Sequence, residues 1–261
     1  MKRLAILALL FPLSVFGQEM ERVLIPVFTP TPIDGAYGSE WTTDLAMLNQ
    51  GSQPILIDGY DQLCHIECGP TQPTPPGRTF YPSSLLRNAL HGVFLWVSPP
   101  SATRDVAIQL RGRDLSRQSE DWGTEIPTVR ESAAPIGTFS ILDVPSTPGY
   151  RVMLRIYQFA DVPLEVGVQF FALNPAQRVP IGDVNPDPLI AEEVLTLPAG
   201  NRLVPGYAEL PDLAGRHPEL ATVERYRILV EAIDATPRLW GMVTLTNNAT
   251  QHITVLSPRV E

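Results

Sequence analysis

Residues 152–171, VMLRIYQFADVPLEVGVQFF, contain the pattern that decides the fold. Apolar residues occupy every second position from Val152 to Ile156 and again from Leu164 to Phe170. Because successive side chains of a β-strand point to opposite faces of the sheet, this period of two is typical of half-buried strands. Residues 160–163, ADVP, lie between the two runs and are typical of a turn. The stretch therefore predicts two strands joined by a short turn.

The same order of elements occurs twice along the chain. The matching segments are 23–27 with 139–144, 45–57 with 152–168, 75–82 with 198–205, and 93–110 with 228–245. The offset between the copies grows from 109 at Pro54 to 133 at Ala102, so the second copy contains insertions, one of them between residues 174 and 190. An internal repeat of this length indicates two units with the same fold.

The fold class predicted for both units is all-β. Each unit contains about seven short strand patterns separated by turn residues, and no long helical pattern lies between them, so an antiparallel β-sandwich fits best. Residues 131–137, ESAAPIG, are small and contain a proline, which is typical of a linker. The predicted organisation is a signal peptide at residues 1–17, a first sandwich at 21–130, a linker at 131–137 and a second sandwich at 138–261.

The first seventeen residues have the features of an export signal. Lys2 and Arg3 precede an apolar run from Leu4 to Phe16, with Val15 and Gly17 at the cleavage-site positions, and we expect cleavage after Gly17. The run is shorter than the ~20 apolar residues of a membrane-spanning helix, and no later segment reaches that length. The sequence therefore predicts a protein that is secreted, periplasmic or at the cell surface, without membrane insertion after signal cleavage.

The charge of the mature chain excludes one class of partner. The chain has 19 basic and 28 acidic residues, and removing residues 1–17 takes away Lys2, Arg3 and no acid, which changes the formal net charge from −9 to −11. Because phosphate contacts need clustered basic residues, nucleic acid is not an expected partner. Lys2 is also the only lysine, so the mature chain has no side-chain amine for Schiff-base chemistry.

Three segments carry a resemblance to a known group of proteins. They are GAYGSEWTTDL at 35–45, PGRT at 76–79 and VTLTNN at 243–248. In these segments the chain resembles uncharacterised exported bacterial proteins made of tandem immunoglobulin-like β-sandwich units. The resemblance covers most of the mature chain and implies two immunoglobulin-like sandwiches, and it implies no activity, cofactor or site residue.

The two cysteines lie close together in the segment Cys64-His65-Ile66-Glu67-Cys68. Because an exported chain meets an oxidising compartment, we predict a disulfide between Cys64 and Cys68. In an extended strand their Cα atoms would lie ~13 Å apart, too far for a disulfide, so the segment has to turn. Free thiols, or a metal held by Cys64, His65, Cys68 and Glu67, are the alternatives, although zinc sites normally draw further ligands from another segment.

The loop Asp183-Val184-Asn185-Pro186-Asp187-Pro188 places oxygen ligands at alternate positions, as the start of a calcium loop does. The pattern then fails, because Pro188 stands where a helix-flanked calcium loop needs glycine and Val194 where it needs glutamate. We therefore predict no metal and no cofactor, and keep calcium at Asp183, Asn185 and Asp187 as the minority hypothesis.

No phosphate loop, dinucleotide fingerprint or nucleophile motif is present in the sequence. The function we expect is therefore a non-catalytic binding or structural module that acts outside the cytoplasm on an unidentified envelope protein, extracellular protein or glycan. The alternative is a secreted hydrolase of glycans that uses carboxylates, for which acid pairs such as Asp58 with Asp61 are available. Trp96 lies within an apolar strand pattern, so we expect it in a core.

Overall fold

The computed structural model describes residues 20–58, 73–80, 88–117, 123–173 and 187–258, so the predicted signal peptide at 1–17 lies outside the described residues. In the first half the strands are β1 (Glu21–Ile25), β2 (Ile33–Asp34), β3 (Glu40–Asn49), β4 (Leu56–Asp58), β5 (Thr79–Phe80), β6 (Val93–Ser98), β7 (Val106–Asp114), β8 (Thr124–Ile126) and β9 (Val129–Arg130). In the second half they are β10 (Thr138–Pro145), β11 (Tyr150–Gln158), β12 (Leu164–Leu173), β13 (Leu189–Leu197), β14 (Gly206–Leu210), β15 (Arg225–Ala232), β16 (Leu239–Asn247) and β17 (Ile253–Leu256).

Helical structure in the described ranges is confined to short turns. They are α1 (Leu213–Arg216) and 3₁₀ turns at Ala36–Gly38, Pro100–Asp105, Glu131–Ala133 and Pro218–Thr222. The all-β prediction is confirmed. None of the helices in the described part of the chain has the length and apolar character needed to cross a membrane.

The described residues of each half of the chain form two antiparallel sheets. The strand orders are β4-β6-β1-β9 and β2-β3-β7-β8 in the first half, with β5 also paired to β3, and β10-β15-β12-β13 and β14-β11-β16-β17 in the second half. We call residues 20–130 the first unit and residues 138–258 the second unit. Strands matched by the sequence repeat hold equivalent places: β1, β3, β4, β6 and β7 correspond in order to β10, β11, β12, β15 and β16. β14 and β17 lie outside the matched segments and hold the places that β5 and β8 have in the first half.

Each unit has its own apolar core between its two sheets. In the second unit, Val152, Leu154 and Ile156 of β11 are buried and pack with Val166 and Phe170 of the facing sheet. These are the inward positions that the alternating pattern predicts. The first unit has a corresponding core that includes residues of β1, β3, β6 and β7. Full burial of such a side chain contributes about 1.5–3 kcal/mol to folding, so the two cores supply much of the stability of the chain.

A third apolar cluster joins the two units. It combines Leu24, Phe94, Val129 and Ala134 with Tyr157, Phe159, Trp240 and Met242. The Tyr157 hydroxyl donates a hydrogen bond of 2.8 Å to the Pro26 carbonyl oxygen, and the Phe94 amide donates one of 2.8 Å to the Leu203 carbonyl. The outer sheet faces of the two units are therefore in direct contact.

The segment predicted as the linker takes part in this contact. Ala134 is buried in the third cluster, and Ile136 forms a β-bridge with Arg238. Glu131 accepts two hydrogen bonds from the Arg22 guanidinium, at 2.7 and 2.5 Å. Residues 131–137 thus pack against both units along their length.

Trp96 is not a core residue, which corrects the expectation from its apolar strand. It is half-buried, and its indole N–H donates a hydrogen bond of 2.9 Å to the Arg202 carbonyl oxygen of the second unit. In β6 the inward positions are Val93, Leu95 and Val97, so Trp96 points outward. The apolar pattern arises because the second unit covers part of this outer face.

Candidate functional site

The outer face of one sheet of the second unit forms the floor of a cavity. Because Leu154 and its alternate neighbours face the core, the intervening residues of β11 face the first unit. Strand pairing places Thr246 beside Arg151, Thr244 beside Met153, and Met242 beside Arg155. We use the term floor for these residues together with Ile253 and Val255 of β17.

The roof of the cavity comes from the first unit. It consists of Val27, Thr29, Ile33, Trp41, Thr42, Thr43, Gly112 and Ile126. The space between roof and floor, which we call the inter-unit cavity, has a volume of ≈ 370 Å³. Its remaining lining residues, Leu90, Pro211 and Asp212, are exposed and mark its mouth. A volume in this range is typical of sites for small organic ligands.

Fixed contacts hold the roof above the floor. One of these contacts is the third apolar cluster, which contains Tyr157. Burial raises the pKa of the Tyr157 hydroxyl, so this hydroxyl stays protonated and donates its hydrogen bond to the Pro26 carbonyl oxygen. Elsewhere along the same contact the Thr124 hydroxyl donates a hydrogen bond of 2.8 Å to the Ile253 carbonyl oxygen. The cavity is therefore formed by the packing of the two units and needs no ligand to assemble it.

The two arginines of the floor differ in their partners. Arg155 lies 3.8 Å from the Glu209 carboxylate, which also accepts a hydrogen bond from the Tyr207 hydroxyl. Arg151 donates a 2.8 Å hydrogen bond to the side-chain oxygen of Gln251, and its guanidinium carbon lies 4.7 Å from the centre of the Tyr37 ring. Arg155 is thus compensated by an acid, whereas the contacts of Arg151 within the described chain are to neutral groups.

Threonine hydroxyls add polar groups to the apolar lining. In the roof, Thr43 accepts a hydrogen bond of 2.7 Å from the Thr29 amide, and Thr42 donates one of 3.1 Å to the Thr29 carbonyl. In the floor, Thr244 and Thr246 stand beside Met153 and Arg151. Their hydroxyls form no hydrogen bond with the described residues, so they are available to a ligand.

The lining residues that the structure describes do not form a catalytic set of any familiar kind. Asp212 is the one carboxylate among the described lining residues, and it accepts a hydrogen bond from the Gly215 amide. A hydrolase of glycans needs two carboxylates on either side of the scissile bond. Arginine, threonine and apolar side chains are instead typical of recognition, since they hold a ligand without activating a nucleophile.

A titratable cluster lies elsewhere, beside α1. Glu193 accepts hydrogen bonds of 2.8 and 2.6 Å from the Arg216 guanidinium and lies 2.9 Å from Nε2 of His217, whose ring packs on Phe170. Burial acts to raise the pKa of the Glu193 carboxyl, but the bonds from Arg216 and His217 outweigh it and hold this pKa below its usual range. Each of these three groups is engaged by another, so the cluster fastens α1 to β13.

The residues singled out in the sequence that the structure describes, Asp58, Trp96 and Asp187, do not line the cavity. Cys64 and Cys68 lie outside the described residues, as do Asp183 and Asn185, so the disulfide stays a prediction. Asp187 is described and lies 3.5 Å from the Arg227 guanidinium. Among the described residues there is no group of three or more histidine, cysteine or acidic side chains that could hold a metal.

The sequence did contain a signal for the floor that the motif search missed. The outward positions of β11 include Met153 and Tyr157, which are large and apolar where a solvated face would carry polar residues. Apolar residues on both faces indicate that a second layer covers the strand. Arg151 and Arg155 alternate with them, and this places charge on a covered face.

Comparisons with protein-family models, with curated proteins and with solved structures found no match for the chain.

Proposed function

We propose that this protein is a non-catalytic binding module, exported from the cytoplasm, which holds a small ligand in the inter-unit cavity. The observation that carries the proposal is the cavity itself, ≈ 370 Å³ in volume and lined by apolar side chains with a few polar groups. Such a lining is typical of ligand sites, in which apolar contact supplies affinity and a few polar groups supply orientation.

The way in which the cavity is closed supports binding over a purely structural role. Tyr157 and Trp240 are fully buried in the cluster that joins the units, and the roof and floor are linked by hydrogen bonds on more than one side. A preformed site loses little conformational entropy when it binds a ligand.

Export is supported by the pattern of residues 1–17, with its basic start, apolar run and cleavage site. We expect the mature chain to begin at Gln18 and to be recovered outside the cytoplasm. Cell fractionation followed by intact-mass analysis tests this, and recovery of full-length chain in the cytoplasm would contradict it.

Binding is tested by a thermal-shift screen of the mature chain against a library of small organic compounds. A ligand that binds only the folded state raises stability by about 2.7 kcal/mol when its concentration is a hundred times its Kd. Thr244→Trp fills the cavity and should abolish the shift. Thr196→Trp is the matched control, because Thr196 is exposed on β13 of the other sheet, and it should keep the shift.

Two results would overturn the proposal. One is a screen with no stabilising compound, or hits that bind the Thr244→Trp variant as well as the unaltered chain. The other is turnover of a polysaccharide or peptide by the purified protein that a single carboxylate substitution abolishes, which would establish the hydrolase alternative.

A further inference from the structure

We propose that the ligand of the inter-unit cavity carries one carboxylate on an apolar body and that Arg151 binds the carboxylate. The inference rests on the proposed binding function and names the chemical class of the ligand.

Arg151 is a cation without an acidic partner among the described residues, in a protein rich in acids. The chain has 28 acidic residues, yet no described carboxylate lies within 4 Å of the Arg151 guanidinium, and its Nη1 is buried without a hydrogen-bond partner. Withdrawing a charged group from water is costly unless it gains charge-assisted hydrogen bonds. A bound anion would supply them.

The guanidinium is also held in place. Gln251, which accepts its 2.8 Å hydrogen bond, is 1 % exposed and donates its own side-chain amide to the Asn248 carbonyl oxygen at 2.8 Å. This second bond fixes which end of the Gln251 amide faces Arg151. The ring of Tyr37 lies against the same guanidinium. Arg151 is therefore positioned before a ligand arrives.

The charges in the cavity favour a ligand with a single negative charge. Arg155 is four residues from Arg151 along the strand, a separation of ~13 Å between Cα atoms. Its guanidinium lies 3.8 Å from the Glu209 carboxylate, so Arg155 has an acidic group beside it, although its Nε also makes no hydrogen bond with the described residues. Asp212 at the mouth disfavours a second anionic group there. The uncompensated positive charge thus lies at the Arg151 end of the floor, where Thr246 adds a hydroxyl donor.

The rest of the cavity suits an apolar body. Met153, Met242 and Val255 form the centre of the floor, and methionine side chains adapt to ligands of varied shape. In the roof, Trp41 donates its indole N–H to the Ser39 hydroxyl at 2.9 Å, so the orientation of its ring is fixed. At ~30 Å³ per water-sized group, the volume fits a ligand of roughly ten to fifteen non-hydrogen atoms.

The experiment is isothermal titration calorimetry of the mature chain with two carboxylates, decanoate and 2-naphthoate, and with their neutral counterparts, 1-decanol and 2-naphthalenemethanol. We expect at least one carboxylate to bind at least tenfold more tightly than its alcohol. Arg151→Gln should weaken carboxylate binding about ten- to hundredfold and alcohol binding by a clearly smaller factor, because a charge-assisted hydrogen bond is lost only with the carboxylate.

Arg225→Gln is the matched control for general electrostatic attraction. It removes the same charge from an exposed arginine that pairs with Asp143 on the other sheet of the second unit, and it should bind the carboxylate as the unaltered chain does. If Arg151→Gln fails to fold, Thr246→Val replaces it. That variant should weaken carboxylate binding several-fold and alcohol binding by less, because a hydrogen bond to a carboxylate is stronger than one to a neutral hydroxyl.

Three results would overturn the inference. The first is equal affinity for carboxylate and alcohol, and the second is an equal loss of affinity in Arg151→Gln and Arg225→Gln. The third is no binding of either carboxylate while the library screen yields cavity ligands of another class, which would leave the binding function standing. A screen without any cavity ligand overturns the binding function as well.

Discussion

Replacing Tyr157 by phenylalanine tests the contact that holds the two units together. The substitution keeps the ring, which is buried in the third apolar cluster, and removes the hydroxyl that donates 2.8 Å to the Pro26 carbonyl. Pro26 is itself buried, so its carbonyl oxygen loses a partner that water cannot easily replace. Leaving a buried acceptor unsatisfied costs about 1–3 kcal/mol.

We therefore expect Tyr157→Phe to lower the free energy of unfolding by about 2 kcal/mol. For a chain of this size each kcal/mol shifts Tm by about 2–4 °C, so Tm should fall by about 4–8 °C. Urea denaturation followed by far-ultraviolet circular dichroism measures the change. An unchanged m value would show that the surface exposed on unfolding is the same in both proteins.

Tyr226→Phe provides the matched control. Tyr226 is 2 % exposed, and burial alone raises the pKa of its hydroxyl, which has no hydrogen-bond partner among the described residues. Its removal should change the free energy of unfolding by less than about 0.5 kcal/mol. If the two variants lose equal stability, or if Tyr157→Phe loses none, the bond to Pro26 does not hold the units together as argued.

Three further predictions concern the core, the titratable cluster and the cysteines. Leu154→Ala, at a fully buried position in the core of the second unit, should cost about 2–5 kcal/mol in urea denaturation, and a loss below 1 kcal/mol would contradict the packing described. Because the folded-state pKa of Glu193 is held low, its contribution to stability is present above the unfolded pKa of about 4.3 and is lost as pH falls through the folded value. The stability difference between the unaltered chain and Glu193→Gln should then shrink as pH falls from 6 toward 3, and a difference independent of pH would refute this. For Cys64 and Cys68 we predict that reduction raises the intact mass of exported protein by two hydrogen atoms, whereas two thiols alkylated without reduction would rule the disulfide out.

The strands of this protein are largely readable from its sequence. The alternation in residues 152–171 identified β11, β12 and the inward set that includes Val152 and Leu154. The repeat matched β1, β3, β4, β6 and β7 to strands of the second half that occupy equivalent places in their sheets. Both are local properties, because the pleat of a strand assigns its side chains to one face or the other wherever the strand ends up.

The candidate site, by contrast, was determined by tertiary structure. The alternating pattern predicts that Arg151 and Met153 share one face of their sheet and that Trp96 lies on the opposite face from Leu95. The pattern does not predict what covers these outer faces. The cover comes from the other unit, more than a hundred residues away for pairs such as Tyr157 with Pro26. Motif searching was therefore directed to the local clusters at Cys64 and Asp183, whereas the cavity arises from side chains that are unremarkable in sequence and meet only when the two units pack. The sequence by itself determined that the fold is all-β and which residues of each strand face the core. The packing of one unit on the other decided which outward residues form a site, because contacts between distant segments leave no periodic pattern in the sequence.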